Sequence, residues 1–224
     1  MNYRQAAGVA EPLIRPIAVL CMMVRGMRAL IALALLLSGC NSNGIPAPSV
    51  GQWVAYGGTE PTINQGPPMS FAFPGPNQTA GYFYTQLPIV PKTGQTLTLT
   101  FSVDGSNPVW QNNPNGGDSG APTMHLFLWR KGDDLSCNGD LAQYRMFAAR
   151  TPLVLGDNQI ISVPLTTDTS TGCYAAHSTD AQWSDLLNNL LGAGFTFGGQ
   201  YFAGHGIYPS TGSATFKVNS FTVQ

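Results

Sequence analysis

Apolar and polar residues alternate along much of this chain, and the period is two more often than it is three or four. In Thr96–Val103 the pattern is strict. Leu97, Leu99, Phe101 and Val103 fall on one face, and Thr98, Thr100 and Ser102 on the other, which predicts a half-buried strand. Met124–Lys131 is apolar on both faces, with Met124, Leu126 and Leu128 opposite His125, Phe127 and Trp129, so it predicts a central strand. Ile161, Val163 and Leu165 alternate, and Pro164 among them marks an edge or a strand end. Further strand signals are GYFYTQL from Gly81, QYRMFA from Gln143 and GFTFGG from Gly194.

One segment has a helical period instead. Thr179 with Gln182 three residues later is a capping-box pattern, and Trp183, Leu186, Leu187, Leu190 and Leu191 follow at helical spacing. The spacing predicts one short amphipathic helix that docks on the sheets and stops at Gly192. At the C-terminus, Phe216 and Val218 alternate, and so do Phe221 and Val223, but the two pairs are out of phase by one residue. An extra residue at Asn219–Ser220 restores the phase, which predicts a final strand with a β-bulge. The stretch Gly204-His205-Gly206 before it reads as a tight loop, its glycines free to adopt positive φ.

Composition sharpens this to an all-β chain rich in turns. Charged residues are only 9% of the 224, and Gly and Pro number 26 and 17. From Cys40 onward there are six Lys/Arg against ten Asp/Glu. That balance lacks the basic stripe nucleic-acid binding requires, so no nucleic-acid partner is expected.

The strongest compartment signal is MRALIALALLLSGCN, from Met27 to Asn41. Arg25 and Arg28 precede an apolar run, Ala29 to Leu37, that is too short for a mature transmembrane helix. Leu37-Ser38-Gly39-Cys40 resembles the bacterial lipobox. The resemblance implies a signal peptide over 1–39, cleavage before Cys40, acylation of that cysteine, and a membrane partner reached through the lipid. Asn41 in the next position implies the outer membrane of the bacterial envelope. The residues upstream fit either a long n-region or a true start at Met22, Met23 or Met27. Residues 40–50 read as a flexible tether and 51–224 as one sandwich domain.

Cys137 and Cys173 then remain as a pair in an oxidising compartment, which predicts a disulfide; two free thiols are the alternative. Between Gly132 and Asp140, the residues Asp134, Ser136, Asn138 and Asp140 place oxygen ligands at alternate positions, as a calcium loop does. Arg145 stands where an EF-hand needs its bidentate carboxylate, so an EF-hand is rejected; a structural calcium in a sandwich loop and a polar hairpin are the two readings left. No other cofactor is expected.

The ending GFTFGGQYFAGHGIYPSTGSATFKVNSFTV resembles the last strands of jelly-roll, galactose-binding-like domains. That resemblance implies a jelly-roll β-sandwich whose C-terminal strand pairs beside the N-terminal one, here GQWVAY from Gly51. Together with RKGDDLSCNGDLAQYR, the ending is similar to a group of uncharacterised bacterial proteins over Leu126 to Val223, which implies a β-sandwich and no activity.

Three functional readings follow. The first is a non-catalytic binding module for glycan. Trp110, Trp129, Tyr144, Tyr201 and Tyr208 would form an aromatic platform, with Asp133, Asp134, Arg145 and His205 at its rim. The second is a structural lipoprotein that docks another envelope protein. The third is a glycan-acting enzyme, the least supported. Glu60 is the one glutamate after Cys40, and no nucleophile elbow or HExxH is present.

Overall fold

The computed structural model describes residues 47–75, 78–114, 120–134, 146–169, 178–199 and 204–224. The described residues lie in the unit Leu37–Gln224. They form an all-β sandwich with one short α-helix. The strands are β1 (Val54–Gly58), β2 (Met69–Ala72), β3 (Ala80–Thr85), β4 (Thr96–Asn112), β5 (Thr123–Arg130), β6 (Met146–Pro152), β7 (Gly156–Pro164), β8 (Leu190–Gly198) and β9 (Ile207–Val223). Helix α1 spans Asp180–Asn188.

All named strand pairs are antiparallel. The order is β6-β5-β8-β3-β9-β4-β7, with β1 added on β3 and β2 on β9. Strands β3 and β9 meet only at Ala80↔Ile207. At that corner the sheet curls, so that β1-β3-β8-β5-β6 faces β2-β9-β4-β7. Rings pack across the gap: Phe71 of β2 stacks on Phe83 of β3 at 4.0 Å, and Phe195 of β8 lies 4.8 Å from Phe216 of β9. Leu97, Leu99, Phe101 and Val103 turn into this core, as their alternation predicts.

The two layers differ on their outer faces. On the β2-β9-β4-β7 layer, hydroxyls such as Thr98 and Ser162, whose oxygens are 3.0 Å apart, face outward. On the other layer, the outward residues Tyr82, Tyr84, Phe127 and Trp129 form a second buried cluster, which explains why β5 reads as apolar on both faces. Burial, with the nearby Tyr56 and Glu60, raises the Tyr84 phenol well above its ordinary pKa.

The bulge in β9 is present: Phe101 pairs with Val218 and Thr100 with Ser220, which leaves Asn219 as the extra residue. Strand β7 is an edge and ends at Pro164. The Thr179–Gln182 capping box forms, and Trp183 and Leu186 dock into the core. Arg130 Nε donates to Asp185 Oδ2 at 2.6 Å, tying α1 to β5 and holding the Asp185 carboxyl below its usual range.

Two expectations are corrected. The helix ends at Asn188, not at Gly192, because Leu190, Leu191 and Gly192 belong to β8. Sheet pairing takes them, Leu190 opposite Arg130 and Gly192 opposite Trp129. Gly192 serves close packing: a Cβ there would meet the Thr85 carbonyl at 2.8 Å. The second correction concerns the last strand. GQWVAY does not lie beside it; β1 pairs with β3, and β2 takes the place beside β9.

Candidate functional site

At the side of the sandwich where β1 and β2 lie, the two layers leave a cleft of about 380 Å³. Its walls are Val50, Gly51 and Trp53 before β1, Gln65–Met69 leading into β2, Thr85–Pro88 at the end of β3, and Val218–Phe221 of β9. No charged side chain is among these residues.

Local chemistry fixes the walls. The Gln65 side chain grips the Trp53 backbone from both sides, its Oε1 accepting from the Trp53 N–H at 2.9 Å and its Nε2 donating to the Trp53 carbonyl at 2.7 Å. This amide clamp does what a strand ladder would do, and so holds Trp53 without a partner strand. The indole packs on Phe195 and Phe221, both at 5.4 Å between ring centroids. Asn64 bridges back to Ser70 through two backbone hydrogen bonds, so the chain loops through Gly66-Pro67-Pro68 before entering β2.

Thr85 stands out in the cleft lining. It is only 5% exposed, and its Oγ1 is buried without a hydrogen-bond partner. A buried hydroxyl in that state costs roughly 1–3 kcal/mol, so a native one asks for an explanation.

The residues expected to form a glycan platform are placed differently. Trp129 is fully buried in the second aromatic cluster, 4.7 Å from Tyr84, and its Nε1 donates to the Asp133 carbonyl at 3.0 Å. Asp133 is also buried, at 1% exposure. Neither can serve on an open stacking surface, because the outer face of β5 is itself a packed layer. Asp134 is exposed. Trp110 packs edge-on against Phe73 at 4.8 Å, and the Tyr208 hydroxyl donates to Gln111 Oε1 at 2.9 Å. These two sit on the paired far arms of β4 and β9, not beside Trp129. His205 is an exposed turn residue whose carbonyl accepts from Asn113 Nδ2 at 3.0 Å. Gly204 and Gly206 flank it at φ 92° and 84°, as a loop reading requires.

Cys40, Ser136, Cys137, Asn138, Asp140, Tyr144, Arg145, Cys173 and Tyr201 lie outside the described residues, and with them the expected lipid anchor, the expected disulfide and most of the candidate calcium loop. Among the described residues, no group of three His, Cys, Asp or Glu could hold a metal ion, and no helix is long and apolar enough to cross a membrane.

Sequence reasoning missed the cleft. Its signal was the dipeptide Pro67-Pro68 at the start of a strand, which forbids that strand from continuing. Compared with protein-family models, curated proteins and solved structures, the chain finds no match.

Proposed function

We propose that this chain is an envelope-anchored lipoprotein, attached to the outer membrane through Cys40, whose jelly-roll-like sandwich is a non-catalytic binding module. The cleft beside Thr85 is its ligand site. The observation that carries the reading is the buried, unpaired Thr85 hydroxyl in a cleft without a charged side chain. The hydroxyl is closed to solvent in the free protein, so a ligand meets it only when the cleft wall shifts to uncover it, and the hydrogen bond then removes its desolvation penalty. A cleft lined by Trp, Gln, Pro, Leu and Asn offers shape, apolar contact and hydrogen bonds. It offers no carboxylate pair or imidazole for proton transfer, which favours binding over catalysis.

Thr85→Val tests this reading. The substitution keeps the shape and deletes the hydroxyl. The full chain in detergent should melt at the same temperature as wild type or higher, and should lose what wild type captures from a glycan array or a peptide library. Equal capture by both proteins contradicts the assignment of the cleft. For the anchor, Cys40→Ser should abolish labelling by radioactive palmitate; unchanged labelling contradicts it.

A further inference from the structure

We infer that the cleft takes an extended, uncharged peptide segment of a partner protein as an added β-strand along the Phe221–Val223 edge of β9. This rests on the cleft being the ligand site and names the class of ligand.

The argument begins with hydrogen-bond parity. Thr96 and Gln224 exchange both backbone bonds, N–H to carbonyl at 2.7 and 3.1 Å. Residues opposite each other in an antiparallel pair alternate between bonded and non-bonded. Thr222 and Ser220, opposite Thr98 and Thr100, therefore spend their N–H and C=O groups on β4. Phe221 and Val223 point theirs the other way. On that side β2 ends its ladder at Met69↔Val218, and no described strand pairs with β9 beyond it. Strand β2 cannot itself continue along this edge. Pro68 and Pro67 precede Met69, and neither has an N–H to donate. Among the described strands, the β9 edge is thus left with outward backbone donors and acceptors at Phe221, which lines the cleft, and at Val223, two residues beyond it.

The chemistry of that edge selects the occupant. A row of peptide groups is matched best by another extended backbone, and strand addition is a general mode of peptide recognition. Of the three side-chain amides in the lining, two are committed, which leaves a sugar only that of the exposed Gln86. Gln65 is spent on Trp53, and Asn219 Nδ2 donates to Ser102 Oγ and Asn158 Oδ1 at 2.9 Å each. The lack of charge in the lining selects an uncharged segment, because a charged side chain would lose its hydration there without a counter-ion. The apolar rim points the same way. Val50 lines the cleft at 57% exposure, and Ile89 and Val90, which directly follow Pro88, are 49% and 64% exposed. Side chains of a bound strand would meet these residues.

The test uses the full chain in detergent and a displayed library of linear random peptides. An enriched peptide is resynthesised with a single N-methyl amide at each position in turn. Strand addition predicts that methylation at every second position weakens binding by about tenfold or more, and that the positions between tolerate it. It also predicts uncharged enriched sequences, and loss of binding in Val223→Pro, which removes only an outward N–H. Should Val223→Pro fail to fold, the N-methyl scan on wild type still decides. Binding indifferent to N-methylation at all positions overturns the inference. So does a wild-type dimer that Val223→Pro dissociates, since the edge then belongs to a second copy. Glycan capture that depends on Thr85, with no peptide enriched, overturns strand addition and leaves the cleft as the site. Capture of neither class overturns both.

Discussion

Between Ala214 and Val218, strand β9 has neighbours on both edges, β4 on one and β2 with Phe73 on the other. Between Phe221 and Val223, β4 is its one partner among the described strands. The two stretches share a strand and inward-facing residues of the same kind. What separates them is Asn219, which resets the alternation, and the prolines before Met69, which end the partner strand. A sheet edge can be closed by its own chain or left for another, and one strand here does both. The closed half is a fastening of the core; the open half is a surface with backbone chemistry to offer.

The contrast should be widest in the packing of the two halves. Phe216 is fully buried among Phe71, Phe101, Phe195 and Phe197, so Phe216→Ala should cost about 3–5 kcal/mol in denaturant unfolding. Phe221 is only partly buried and packs on Trp53, so Phe221→Ala should cost about 1–2 kcal/mol. Equal losses would erase the distinction. A proline pair sharpens it within the open half. Thr222→Pro removes an N–H spent on β4 and should cost about 3 kcal/mol. Val223→Pro removes an N–H facing outward and should cost less than about 1 kcal/mol. The reverse order would place the open edge on the wrong residues.

A smaller effect belongs to the loop before β9, where the strand is again fastened. Gly204 and Gly206 both donate their N–H to the Phe197 carbonyl at 3.0 Å. A Cβ at Gly206 would meet Thr79 Cβ at 2.6 Å, and its φ of 84° disfavours a branched side chain. Gly206→Val should therefore cost about 1–3 kcal/mol in a thermal melt. His205→Ala, at an exposed turn, should cost less than about 0.5 kcal/mol and leave peptide capture intact. A folded His205→Ala that no longer captures peptide would move the site to this loop.

The fold was legible where periodicity is strict. Leu97 to Val103, the bulge at Asn219, the capping box at Thr179 and the end at Pro164 all depend on neighbours in sequence, so sequence contains them. Leu190 to Gly192 misled because a helical stripe continued into residues whose partners, Arg130 and Trp129, are far away in the chain. Trp129 and Asp133 misled for a related reason. An aromatic beside an acid looks like a binding rim, and nothing local says that the outer face of that sheet is a second buried layer. The cleft was the least legible feature. It is made by four separated stretches, none of which carries a charged or catalytic side chain, and its decisive groups are backbone amides and one threonine. Amino-acid patterns report side chains well and unused backbone poorly. Only the two adjacent prolines gave a hint.

Residue-resolved hydrogen exchange along β9 in the full chain tests the open edge most directly. In the free protein, the amides of Ser220 and Thr222 should exchange slowly and those of Phe221 and Val223 fast, an alternation that fraying of the C-terminus cannot produce. Saturation with an enriched peptide should slow Phe221 and Val223 to the level of their neighbours. Phe221 and Val223 amides as slow as that of Thr222 in the free protein, or unaffected by bound peptide, would contradict the account.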